Sequence, residues 1–152
     1  MDKLQDSEIQ QIQSRAAAYC AAAERFEQDV RAKLSQYGAT ESQADTIVGY
    51  LIRNNYLNPL RCATAFAHDK LRFAGWGRIK IRYALRMKNV PDVVVSEALA
   101  SIGEDDYLSR LKSILQAKKR TLTGDDYTVR GKLMRFAASR GFEADVVVKV
   151  LG

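Results

Sequence analysis

The stretch Arg78-Ile79-Lys80-Ile81-Arg82-Tyr83-Ala84-Leu85-Arg86-Met87-Lys88-Asn89-Val90-Pro91 carries two apolar stripes at helical spacing. Ile79, Tyr83 and Met87 recur every four residues, while Ile81, Ala84 and Leu85 mark a second face. A helix with two apolar sides is expected to be covered twice. It is either the middle member of a stack of repeats or the centre of a compact bundle. Asn89 and Pro91 close the segment, since Asn tolerates the left-handed backbone of a helix stop and Pro cannot continue the helix.

The same pattern stands about 50 residues to either side. Val30-Arg31-Ala32-Lys33-Leu34 running to Gly38, and Leu133 running to Gly141, superimpose on Ile81 to Asn89. Leu34, Leu85 and Ala137 then correspond, as do the stops Gly38, Asn89 and Gly141. Each stop precedes a short helix, ending at Leu51, Leu99 and Leu151. Between these anchors the punctuation is helical throughout. Ser7 to Glu24 reads as a long polar, alanine-rich helix, and Phe26, Val30, Leu34 and Tyr37 share one face of the next. Thr40 with Gln43 forms a capping box for a helix whose Ala44, Ile47, Val48 and Leu51 point inward. Asn58-Pro59 opens a helix through Ala63, Phe66, Ala67 and Leu71, which stops at Gly75-Trp76-Gly77. Asp105-Asp106 and Gly124-Asp125-Asp126 mark two later helix starts, where acids meet the positive end of the dipole. The expected fold is all-α, with three tandem three-helix repeats over residues 1–57, 58–103 and 104–152.

The bulk composition narrows the chemistry. The chain has 152 residues, 47% of them hydrophobic, and a net charge of +6. No apolar run approaches the roughly 18 residues of a membrane span, and the start Met1-Asp2-Lys3-Leu4-Gln5-Asp6 has no apolar signal core, so a cytoplasmic protein is expected. Cys20 and Cys62 lie far apart and read as free thiols. His68 is the one histidine. It has no second histidine, CxxC pair or carboxylate cluster with which to build a zinc site, and it reads as a surface residue. Gly75-Trp76-Gly77 is a helix break and not a phosphate loop. No catalytic, cofactor or metal site is expected, nor a small-molecule substrate.

The excess of positive charge falls in the middle of the chain. Arg61, Lys70, Arg72, Arg78, Lys80, Arg82, Arg86 and Lys88 face a lone acid, Asp69. Arg78, Arg82 and Arg86 stand at i, i+4 and i+8, where like charges repel and gain nothing from folding. Guanidinium forks suit phosphates and carboxylates, and Phe73, Trp76 and Tyr83 lie among them. On residue chemistry alone this is either a solvated helix face or a binding surface.

Three segments resemble the RecX family. Asn55-Tyr56-Leu57-Asn58-Pro59-Leu60-Arg61-Cys62-Ala63 resembles its GYLDDxRFA segment, without the acidic pair. Lys70-Leu71-Arg72-Phe73-Ala74-Gly75-Trp76-Gly77-Arg78-Ile79 is similar to its R…GxxRI stretch, with Trp76 where Pro or Tyr is usual. Lys132 to Phe142 is similar to K…RFLxxRGF. The resemblance covers nearly the whole chain in order and spacing. It implies a curved, crescent-like stack of repeats, a monomer lying in the groove of a RecA–DNA filament. It also implies a non-enzymatic regulator that inhibits RecA's ATPase and strand exchange. Lys70, Arg72, Trp76, Arg78, Lys80, Arg82, Arg86 and Lys88 are then the expected contacts with the RecA filament or with single- or double-stranded DNA. The alternative is a helical module that binds DNA directly through its basic face.

Overall fold

The computed structural model describes residues 3–152. Met1 and Asp2, part of the polar start read above, lie outside the described residues. The described residues form nine α-helices and no strand. They are α1 (Lys3–Ala22), α2 (Glu27–Gln36), α3 (Glu41–Arg53), α4 (Pro59–Asp69), α5 (Arg78–Met87), α6 (Asp92–Ala100), α7 (Glu104–Lys119), α8 (Asp126–Ser139) and α9 (Ala144–Leu151). A π-helical turn, Lys70–Ala74, extends α4. The helices α1, α2 and α3 pack on one another, α4 and α5 pack on α6, and α7, α8 and α9 pack together.

The helix stops repeat in detail. Gly38, Asn89 and Gly141 have φ of 96°, 59° and 89°. At each stop the N–H two residues past the cap bonds back to a carbonyl five positions earlier. The pairs are Ala39 to Leu34 (2.9 Å), Val90 to Leu85 (3.1 Å) and Phe142 to Ala137 (3.0 Å). A second bond joins Gly38 to Ser35, Asn89 to Arg86 and Gly141 to Ala138, completing a Schellman motif three times over. Leu34, Leu85 and Ala137, whose carbonyls accept these bonds, are all fully buried. Helix starts follow local chemistry as well. Thr40 Oγ1 accepts from Gln43 N–H, and Gln43 Oε1 accepts from Thr40 N–H. Asn58 caps α4 ahead of Pro59, and Asp125 caps α8.

The apolar interior is divided unequally. One core joins Ala16, Cys20, Val30, Leu34, Ile47, Leu51 and their neighbours in α1–α3. A second, continuous core runs from Ala63 in α4 to Val147 in α9, so the last six helices share one interior. Phe26 departs from the face expected for it. As the extended residue before α2 it turns away from Val30 and Leu34, and it meets Phe66 edge-on with ring centroids 5.4 Å apart.

Between α4–α6 and α7–α9 the backbones themselves touch. Gly77 N–H donates to the Arg140 carbonyl (2.7 Å) and Ile79 N–H to that of Gly141 (3.0 Å). The widened turn at Lys70–Ala74 leaves carbonyls open at its end. Arg110 donates to that of Leu71 and Arg140 to that of Ala74, both at 3.0 Å. This is a departure from a helix that simply ends before Gly75. Two arginines from the neighbouring helices satisfy the groups a regular turn would have bonded.

Leu85 sits in the continuous core beside Ile81. Leu85→Ala is expected to lower unfolding free energy by about 2–5 kcal/mol in a urea titration. A loss under about 0.5 kcal/mol would be that of a surface position.

Candidate functional site

The basic stretch expected to be one stripe serves several purposes. Arg78 opens α5, where a cation meets the unfavourable end of the helix dipole. Two acids, at the starts of α7 and α9, compensate. Its Nη1 lies 2.9 Å from Glu143 and its Nη2 2.7 Å from Glu104. The guanidinium also lies 3.7 Å from the ring centroid of Tyr107, whose hydroxyl accepts from the Arg78 backbone N–H (2.9 Å) and donates to Glu143. Burial, then the hydrogen bond to Glu143, pushes the Tyr107 phenol well above its ordinary range, so it remains a donor. Arg78 is therefore a half-buried clamp between α5 and α7–α9. The acids that the basic stretch itself lacks are supplied from elsewhere in the fold, here and at two more positions. Arg86 pairs with Asp92 at 3.1 Å, and Lys88 pairs with Asp29 at 3.2 Å, bridging α5 to α2.

The other expected residues remain without an ion pair among the described residues. Arg82 lies half-buried along α5, and Arg72 is exposed beside Phe73. The ammonium groups of Lys70 and Lys80 both lie over the Trp76 ring, 4.6 and 4.8 Å from its centroid.

A second correction concerns the apolar stripes of α5. Ile81 and Leu85 are covered, but Ile79, Tyr83 and Met87 are 56%, 66% and 62% exposed. Nothing in the described chain packs over them. With Arg82 and Arg86 beside them they make a mixed face of three apolar side chains flanked by guanidinium groups. Periodicity identified the stripe and assigned it to the interior. Its exposure follows from α6 and the third group of helices lying on the other side of α5.

Elsewhere the side chains are occupied structurally. Burial pushes the Cys62 thiol up to about 11 and raises that of Cys20, so neither is a thiolate at neutral pH. His68 Nε2 donates to Ser101 Oγ (2.9 Å), which itself donates to the Ala98 carbonyl (2.6 Å). Among the described residues, no three His, Cys, Asp or Glu side chains stand together where a metal ion would need them. No described helix is long and apolar enough to cross a membrane.

Comparison with known proteins brings these features together. The regulatory protein RecX of Prosthecochloris aestuarii is 30% identical over 148 residues, covering 97% of this chain and 96% of its own. The chain belongs to the RecX family. The family model described as "RecX, second three-helix domain" matches residues 60–99, and that for the third three-helix domain matches 104–151. A RecX of Clostridium botulinum is 34% identical over 130 residues; the match covers 84% of this chain and 60% of that longer relative. The crystal structure of RecX from Lactobacillus salivarius superposes with a TM-score of 0.88 over 96% of both chains at 17% identity, a likeness of fold. The chain thus folds as a RecX helical repeat array, and its clamp lies where the second and third domains meet.

The clamp has a pH signature. Burial alone would raise the Glu143 carboxyl, but hydrogen bonds from Tyr107 and Arg78 outweigh it and hold the group below its ordinary value. The folded chain then binds fewer protons than the unfolded one. That stability is present above the unfolded value of about 4.3 and is lost as pH falls through the folded value. In urea titrations, the stability gap between wild type and Glu143→Gln is expected to be largest above about pH 5 and to shrink towards about pH 3. A gap constant across that range would mean the carboxylate's charge contributes nothing.

Proposed function

We propose that this chain is a non-enzymatic regulator that binds the RecA recombinase filament and restrains its ATPase and strand exchange, with the outward face of α5 as the principal contact. In this reading residues 58–103 form the contact unit, flanked by units 1–57 and 104–152. The protein acts as a cytoplasmic monomer without a cofactor. The observation that carries the reading is the exposed row Ile79, Tyr83 and Met87 beside Arg82 and Arg86. Singly exposed apolar residues are ordinary, but three in a row on one helix face, rimmed by arginine, have the make-up of a protein-binding patch. RecX membership supports a filament as the partner, because regulation of RecA is what that family resemblance implies.

Arg78 and Lys88 are assigned to the fold in this reading, not to the filament. Arg86 stays available, since its pair with Asp92 is exposed on both sides and such pairs contribute about 0–1 kcal/mol. Tyr and Arg at the centre of an interface are the residues whose loss costs most, often about 2 kcal/mol or more each.

The test is a titration of RecA ATPase, with co-sedimentation of RecA filaments alongside. An Arg82→Glu/Tyr83→Ala double variant is expected to need at least about 10-fold more protein for half-inhibition. Its far-UV circular dichroism and melting temperature should match wild type, because neither side chain makes an ion pair or a side-chain hydrogen bond among the described residues. Equal inhibition by the folded variant would move the contact to another surface.

A further inference from the structure

Residues 91–152 are nearly neutral as a whole, yet their charges are segregated. Between Arg110 and Arg140 stand nine basic residues and two acids, Asp125 and Asp126. None of the nine is in an ion pair with an Asp or Glu among the described residues. In the central stretch Arg61, Arg78, Arg86 and Lys88 are paired, while Lys70, Arg72, Lys80 and Arg82 are not. A concentration of unpaired positive charge therefore lies along α7 and α8, and continues into Lys70 and Lys80.

These cations are ordered around aromatic rings. The Lys118 ammonium and the Arg140 guanidinium both lie 4.9 Å from the centroid of Phe136, with Lys132 one turn earlier on α8 and exposed. Arg140 reaches the carbonyl of Ala74, two residues from Trp76, which carries Lys70 and Lys80 over its ring. Lys70 in turn lines a hollow with Phe73, Phe66 and one acid, Asp69. Phe73 is 75% exposed, with the Arg72 guanidinium 6.0 Å from its ring centroid. The result is a continuous seam of cations and rings from α8, across the glycine junction, to the π-helical turn. A cation over an exposed ring is only weakly held, and like charges gathered together repel. The arrangement gains most when a polyanion lies along it.

We infer that this seam is a binding surface for single-stranded DNA, separate from the outward face of α5 and independent of the filament reading. The lysines track the phosphate backbone, and the open ring of Phe73 takes a base by stacking. An unpaired strand offers both groups at once, whereas a duplex keeps its bases stacked inside.

The experiment uses the full chain without RecA and a fluorescent oligothymidine 20-mer, read by anisotropy across a salt series. Wild type is expected to bind at low salt, with log affinity falling linearly against log salt. Each of Lys70→Gln, Lys80→Gln, Lys118→Gln and Lys132→Gln should reduce that slope by about 0.7, and the matching Lys→Arg variants should keep it. Phe73→Ala should weaken binding roughly 5- to 100-fold with the slope unchanged. Tyr83→Ala, on the α5 face, should bind as wild type does. Circular dichroism of each variant reports that it is folded. Absence of binding by wild type at low salt, or a four-lysine variant with the wild-type slope, would overturn the surface. A duplex of the same length that binds more tightly through the same lysines, with Phe73→Ala silent, would overturn the assignment to a single strand.

Discussion

The backbone at Gly77 meets the backbone at Gly141 with no side chain between them, and the arrangement of the last six helices depends on that approach. A Cβ on Gly77 would stand 2.5 Å from the Gly141 carbonyl carbon, and one on Gly141 would stand 2.4 Å from the Lys80 Cβ. Both distances are closer than real side chains allow, and the obstacles are largely backbone, which cannot step aside. The contact brings the start of α5 against the end of α8. Arg78 then reaches Glu143 and Glu104, and Tyr107 and Phe142 meet in the interior with centroids 5.4 Å apart. Gly141 thus has two duties, ending α8 at positive φ and admitting the neighbouring strand of backbone. Gly38 occupies the same helix-stop position and has nothing within 4 Å of its missing Cβ. There the glycine answers the turn alone, and at Asn89 a side chain is tolerated.

The junction between α1–α3 and the remainder is made differently. Phe26 meets Phe66, Arg61 pairs with Glu24, Lys88 pairs with Asp29, and Asn89 donates to Gln28. The two cores remain separate across it. Partly exposed ion pairs contribute little each and are screened by salt. The second and third groups of helices therefore form the firmer body, joined by a shared interior and by backbone hydrogen bonds. Both surfaces assigned here, the α5 face and the cationic seam, lie on that body.

What could be read from the sequence was what is decided locally. The three helix stops, the Thr40–Gln43 box and the Asn58-Pro59 start each depend on a few adjacent residues, and the structure forms each one. The inward set Ala44, Ile47, Val48 and Leu51 follows from spacing, and all four are buried. Features decided by long-range packing were not legible. Glu143 lies 65 residues from Arg78, so no local pattern announces the clamp. Periodicity shows that α5 has two apolar faces, but only the placement of α6 and α7 decides which one is covered. Averaging charge over residues 91–152 hid the cations of α7 and α8. Apart from Asp125 and Asp126, their counter-charges sit at the two ends of that stretch, from Asp92 to Asp106 and from Glu143 to Asp145. A sliding window of about one helix length separates them.

The fate of Arg78, Arg82 and Arg86 has a geometric cause. Successive α-helical residues turn by 100°, so a step of four advances the side chain by about 40° and not by zero. Across two such steps the row sweeps about 80° around α5. Arg78 begins at the edge of the buried face, where α7 and the start of α9 present Glu104 and Glu143. Arg82 falls between the buried and open sides. Arg86 arrives on the open side next to Tyr83, where its partner is the exposed Asp92 at the start of α6. A row that is uniform in sequence is thereby divided into a structural cation, a border cation and a surface cation. The division follows from helical geometry together with where the neighbouring helices lie. The apolar row one position further on, Ile79, Tyr83 and Met87, starts about 100° from Arg78 and stays opposite Ile81 and Leu85 throughout, with Tyr83 the most exposed of the three.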